Sequence, residues 1–157
     1  MTDALSAQPP AVPLSAKART AGRAIAIQLL YSLEQNKYVD DGSLLTSHEE
    51  VPEPGAEDFA KALVAGFRDQ RVPVDAAIDK RLENWTIHRL AVVDRAILRL
   101  GAFEILYRED TPPKVAINEA IELAKRFGSE DKTAKLVNGV LDRIARDHRP
   151  GDLNKKG

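Results

Sequence analysis

The chain has 157 residues, 43% hydrophobic and 30% charged, a composition that predicts one soluble domain large enough to bury a core. With 23 basic against 24 acidic residues the formal charge is -1, which excludes a globally basic nucleic-acid binder and leaves room only for a local basic patch. Cysteine is absent, which excludes disulfides, zinc–thiolate sites, iron–sulfur clusters and a thiol nucleophile.

Residues 1–14 are rich in Pro and Ala without a period and read as a disordered leader. Ser15 is the expected N-cap of a first helix running to about Glu34, with Asn36 as its stop. An acidic loop follows over 37–57, with one helical turn around Leu44–Thr46. A second helix fits Ala56 to Asp69 and a third opens at Pro73, ending near Asn84-Trp85-Thr86. A fourth runs from about Arg89 to Tyr107 and stops before Pro112-Pro113. The fifth covers about Val115–Phe127 and ends at Gly128, expected as a left-handed cap. Ser129 is the expected cap of a sixth, from about Lys132 to Arg146, and 150–157 reads as a flexible tail. No period-2 strand pattern occurs, so the expected fold is all-α: a compact bundle of six to seven helices, with 15–149 as a single domain.

Catalytic chemistry finds no purchase. There is no glycine-rich phosphate loop, no G-x-S-x-G and no H-E-x-x-H. The pairs Glu49-Glu50 and Glu57-Asp58 read as solvated charge. Glu119 and Glu122, with Lys125 and Arg126, read as ordinary helix-surface pairing. His48, His88 and His148 lie too far apart for metal-ligand spacing, so neither metal nor cofactor is expected. No apolar run reaches roughly 18 residues and no signal-peptide order opens the chain, which predicts a cytoplasmic protein with no membrane contact.

Helical projection is more informative. On the first helix, Ala18, Gly22, Ile25, Ala26, Leu29 and Leu33 form a core face. A second stripe holds Arg19, Arg23, Ile27, Leu30, Tyr31 and Glu34. The fourth helix repeats the pattern: beside its core face runs a stripe of Asp94, Leu98, Gly101 and Ile105, flanked by Arg95 and Arg99 that read as solvated. Two-sided burial inside a bundle and a partner-binding groove both fit such stripes. Lys17, Arg19 and Arg23 make the head of the first helix basic, with no acid between Asp3 and Glu34. Lys132 and Lys135 begin the sixth helix. If the two regions meet, they form a positive strip suited to single-stranded RNA phosphates.

The segment Val93-Asp94-Arg95-Ala96-Ile97-Leu98-Arg99-Leu100-Gly101-Ala102-Phe103-Glu104 resembles a signature of the NusB family of bacterial transcription antitermination factors. Lys114-Val115-Ala116-Ile117-Asn118-Glu119-Ala120-Ile121-Glu122-Leu123-Ala124-Lys125 is similar to that family's most recognisable stretch. Val137-Asn138-Gly139-Val140-Leu141-Asp142 and the early Ala26-Ile27-Gln28-Leu29-Leu30-Tyr31 follow its order. The resemblance implies a non-enzymatic helical protein of two small lobes. It would bind boxA RNA of ribosomal RNA leaders together with the ribosomal protein NusE, within an RNA polymerase antitermination complex. It also implies RNA contacts at Lys17, Arg19 and Arg23 and at Asp131, Lys132, Lys135 and Asn138. Tyr31 and Asp94 match NusE-interface positions, and Ile27, Leu98, Gly101 and Ile105 share their stripes. A homodimer through the same stripes is the competing arrangement. Other readings are an interaction module without RNA binding and the RNA-binding domain of an rRNA methyltransferase, though the 157 residues contain no βαβ unit.

Overall fold

The computed structural model describes residues 14–35, 53–83 and 85–154. Among these the fold is all-α: α1 (Ala16–Gln35), α2 (Ala56–Asp69), α3 (Arg71–Arg81), α4 (Val92–Tyr107), α5 (Pro113–Phe127) and α6 (Thr133–His148). Short 3-10 turns at Ile87–Arg89 and Pro150–Asp152 complete it. The expected stop at Asn36, the turn at Leu44–Thr46, Asn84 and most of the leader lie outside the described residues.

Ser15 caps α1 as expected, its Oγ accepting the Ala18 amide at 2.9 Å. Pro113 opens α5, where its missing N–H is no loss. Two expected caps differ. Gly128 is not left-handed; its φ is -58°. Its value is space, because a Cβ there would stand 2.4 Å from the Ala124 carbonyl oxygen and 2.9 Å from Thr133. Ser129 does not cap α6. Its side chain is spent on Asp94, and the junction is closed by Thr133, whose Oγ1 accepts the Glu130 amide at 3.2 Å.

Helix α4 is the centre, packing against all five other helices. Every residue from Asp94 to Ile105 is buried, and a helix covered on all sides needs neighbours on all sides. α1 and α2 flank it on one side, α5 and α6 on another, and α3 bridges to α6. α1 runs antiparallel to α4, since Arg23 reaches Glu104 while Glu34 reaches Arg95.

The burial extends to charged groups. Arg95 and Arg99, expected in solvent, are buried. Glu34 accepts from both, and Asp75 of α3 accepts from Arg99 at 2.8 and 2.9 Å. The spare donors of Arg95 go to the carbonyls of Ile87 and Leu90. At the other end of α4, Arg149 donates to the carbonyls of Ile105, Arg108, Glu109 and Thr111, and to Asp152. Guanidinium forks meet several acceptors at once, as such sites require. The chain just before and within 150–152 is thus pinned to the end of α4, where a flexible tail was expected.

The hydrogen bond from Arg95 holds the Glu34 carboxyl below the usual glutamate value; burial opposes this, and the charges of Arg95 and Arg99 reinforce it. A carboxyl with a depressed pKa in the folded state stabilises fully above its unfolded value, and loses that contribution as pH falls through the folded value. Glu34→Gln should therefore lower the Tm at pH 7, by on the order of 1–3 kcal/mol of stability. It should also flatten the loss of Tm on acidification below about pH 4.3. An acid limb parallel to that of the parent protein would contradict this role.

Candidate nucleic-acid and partner interface

The basic head of α1 divides into exposed and buried parts. Lys17 is 82% exposed and meets Glu53 only at 3.6 Å, a pair that contributes little and yields easily. Arg19 donates to the Leu14 carbonyl at 2.7 Å, which orients it on an open cleft also lined by Thr20, Asp110, Thr111 and Pro112. Arg23 is different. It is 3% exposed and holds the Glu104 carboxylate through Nε and Nη2 at 2.9 and 2.8 Å. Its other arm reaches Glu119 at 3.2 Å, and Phe59 lies under the guanidinium. Burial alone would lower its pKa, but the bonds and charge of Glu104, then of Glu119, outweigh that and raise it. The direct phosphate contact expected of Arg23 is therefore corrected: its donors are committed inside the fold, locking α1 to α4 and α5.

At the other candidate region, Lys132 is 77% exposed and only 3.7 Å from Glu130. Asp131, in the turn before α6, and Lys135 and Asn138, on its first turns, are also exposed. The two regions do not adjoin. Asp94 holds the start of α6, whereas Arg23 sits at Glu104. Ten residues of α4 separate these anchors, about 15 Å at 1.5 Å per residue. The two basic regions, which the sequence left free to meet or not, form two cationic patches at opposite ends of α4.

The partner stripes need a larger correction. Ile27, Leu98 and Ile105 have 1%, 0% and 0% exposure. Gly101 is buried because Leu141 of α6 presses on it; a Cβ there would stand 2.5 Å from that side chain. Asp94 is also buried, accepting the Ser129 amide at 2.9 Å and hydroxyl bonds from Ser129 and Thr133. These five residues are core and junction, and none offers a docking surface. Leu30 is buried with them. Of the two stripes Tyr31 alone stands well out, 41% exposed.

With this geometry in place, the comparisons with known proteins decide the family. The NusB family model matches residues 20–146. The chain belongs to the NusB family. It is 43% identical over 133 residues to the transcription antitermination protein NusB of Myxococcus xanthus, covering 82% of this chain and 94% of that protein. The solved NusB of T. maritima superposes with a TM-score of 0.73 at 35% identity, over 86% of this chain and 95% of that one. A crystal structure of the antitermination factors NusB and NusE in complex with dsRNA gives a TM-score of 0.73 at 26% identity, over 85% of this chain and all of the matched one. The NusB signature around Asp94 therefore lies largely on the buried helix α4, and its residues hold this fold together.

Sequence reasoning missed Thr20 and Glu119. Glu119 does not pair along its own helix; it accepts from Thr20 at 2.8 Å and from Arg23, and so walls the cleft beside Arg19. Helical spacing carries no signal for a bond between residues 96 or more positions apart. Glu122 behaves as expected, pairing with Lys125 at 3.1 Å.

Asp94→Ala should free the Ser129 amide and both hydroxyls. Amide hydrogen exchange at 129–133 should accelerate, with a global loss of about 1–3 kcal/mol. Unchanged protection at Ser129 would contradict the junction role.

Proposed function

We propose that the protein is a transcription antitermination factor that binds boxA RNA of ribosomal RNA leaders together with NusE, and so helps RNA polymerase pass premature terminators. The observation that carries this reading is the family match over residues 20–146, joined to fold similarity with a NusB solved beside NusE and dsRNA. In this reading the protein is not an enzyme: it supplies surfaces, and its cationic groups neutralise phosphates without transferring anything. No helix of the described residues is long and apolar enough to cross a membrane. That agrees with work on transcripts in the bacterial cytoplasm.

The RNA contacts in this reading are Lys17 and Arg19 at the α1 head and Lys132, Lys135 and Asn138 on α6, with Asp131 as a local repulsive charge. Arg23 acts one step back, fixing the direction of α1. NusE meets the surface around Tyr31, whose ring offers area and a hydroxyl, a frequent hot-spot chemistry.

A gel shift on boxA RNA, with and without NusE, tests the reading as a whole. Binding should weaken as salt rises, and Lys17→Ala and Arg19→Ala should each reduce the salt slope by just under one. A double variant that binds with the parent's slope would remove the α1 head from the interface. Independently, Tyr31→Ala should cost on the order of 2 kcal/mol of NusE affinity while leaving binding to RNA alone unchanged. A tight homodimer in sedimentation that never yields to NusE would contradict the partner assignment.

A further inference from the structure

Trp85 is the single tryptophan of the chain and is 51% exposed. The Arg89 guanidinium lies over its ring, 5.5 Å from the centroid. The backbone beside it is firmly held. The Ile87 amide donates to Asp79 at 2.7 Å, and the Ile87 and Leu90 carbonyls accept from Arg95. The turn that follows Trp85 is therefore fixed at the N-terminal end of α4, the end at which Asp94 holds Ser129 and Thr133.

Two residues before Trp85, Glu83 lies 3.9 Å from Arg143 of α6, and Arg143 also donates to the Arg81 carbonyl at 3.2 Å. Arg143 ends a ridge: Lys132, Lys135, Gly139 and Arg143 are spaced three and four apart and share one face of α6. Gly139 brings no side chain to that ridge, and a Cβ there would stand 3.4 Å from the Arg143 guanidinium. Lys132 and Lys135 open this face, and Arg143 closes it beside Glu83, two residues before the indole in the chain. Thr86, His88 and Arg89, the polar residues that follow the ring in the chain, are exposed, with Glu83 and Asp79 the acids of this segment. That polar segment suits a phosphate backbone better than an apolar protein face, and the Glu83 pair is exposed enough to give way.

We propose that Trp85 is a base-stacking platform: single-stranded RNA entering at Lys132 and Lys135 follows the α6 ridge past Arg143, and one base stacks on the indole beside or in place of Arg89. This rests on the RNA-binding reading above and extends it to a segment that reading does not use. Aromatic stacking in a cationic groove is the general means of holding unpaired bases.

The lone tryptophan gives a direct readout. Labelled boxA RNA is titrated into the full chain, with and without NusE, following RNA anisotropy and Trp85 fluorescence together, with Trp85→Phe as the optical blank. Quenching should saturate along the anisotropy curve. Trp85→Phe should keep affinity within about 2-fold, and Trp85→Ala should lose roughly 5-fold or more with an unchanged salt slope. Circular dichroism confirms that both variants fold, and the quench in the parent protein stands without either. Normal anisotropy with flat fluorescence and an unaffected Trp85→Ala variant would overturn the platform and leave the RNA reading intact. No anisotropy change in the parent protein under either condition would overturn both. A fluorescence change on adding NusE without RNA, and none on adding RNA, would assign the ring to a protein contact and overturn the platform.

Discussion

The buried ion pair between Arg23 and Glu104 is the constraint around which the rest is arranged. Two charges inside a helical core cost several kcal/mol each unless their hydrogen bonds are complete. Here the guanidinium takes Glu104 with two donors, spends another on Glu119 and rests on Phe59. Those partners come from α4, α5 and α2, and the arginine itself from α1, so satisfying one side chain fixes four helices relative to each other. Arg95 and Arg99 do the same at the opposite end of α4 with Glu34 and Asp75. Such pairs give little net stability, but they tolerate few alternative packings. A pair missing one partner is far worse than none.

This arrangement divides the cations by task. The arginines inside the bundle have all their geometry spoken for, and their positive charge is matched locally. Lys17, Lys132 and Lys135 project into water with at most loose partners. A chain of near-zero net charge can still present positive charge locally, where these lysines project into water and the acids beside them, Glu53 and Glu130, hold them only loosely. The patches sit at opposite ends of α4, whose rigidity sets their separation. An RNA strand touching both must span that distance, and a wobbling helix would blur it.

Much of the fold was legible because helix signals are local. The bounds of α2 match expectation, Ser15 caps α1, and the Pro pair sets the gap between α4 and α5. What covers a face was not legible. The stripe Leu98-Gly101-Ile105 reads the same whether a partner or Leu141 lies against it, since periodicity reports that a face is apolar and not what fills it. Arg95 and Arg99 read as solvated because Glu34, their acceptor, lies 61 and 65 residues away. Gly128 and Ser129 satisfied local capping rules, yet a distant carboxylate, Asp94, claimed the serine. Tyr31 kept its surface position among buried neighbours on the same stripe, a distinction that depends on the radial position of α1 in the bundle.

The account depends most on Arg23 and Glu104 acting as one unit inside the fold. A double-mutant cycle on stability, with Arg23→Met, Glu104→Met and the two combined, measures this. Each single change should cost about 3–5 kcal/mol, because it strands a buried charge. The double change should cost clearly less than their sum, since it strands neither of the pair. Single losses below about 1 kcal/mol that simply add would show that Arg23 is solvated in solution, returning it to the RNA surface and removing the anchor on which the division of charges rests.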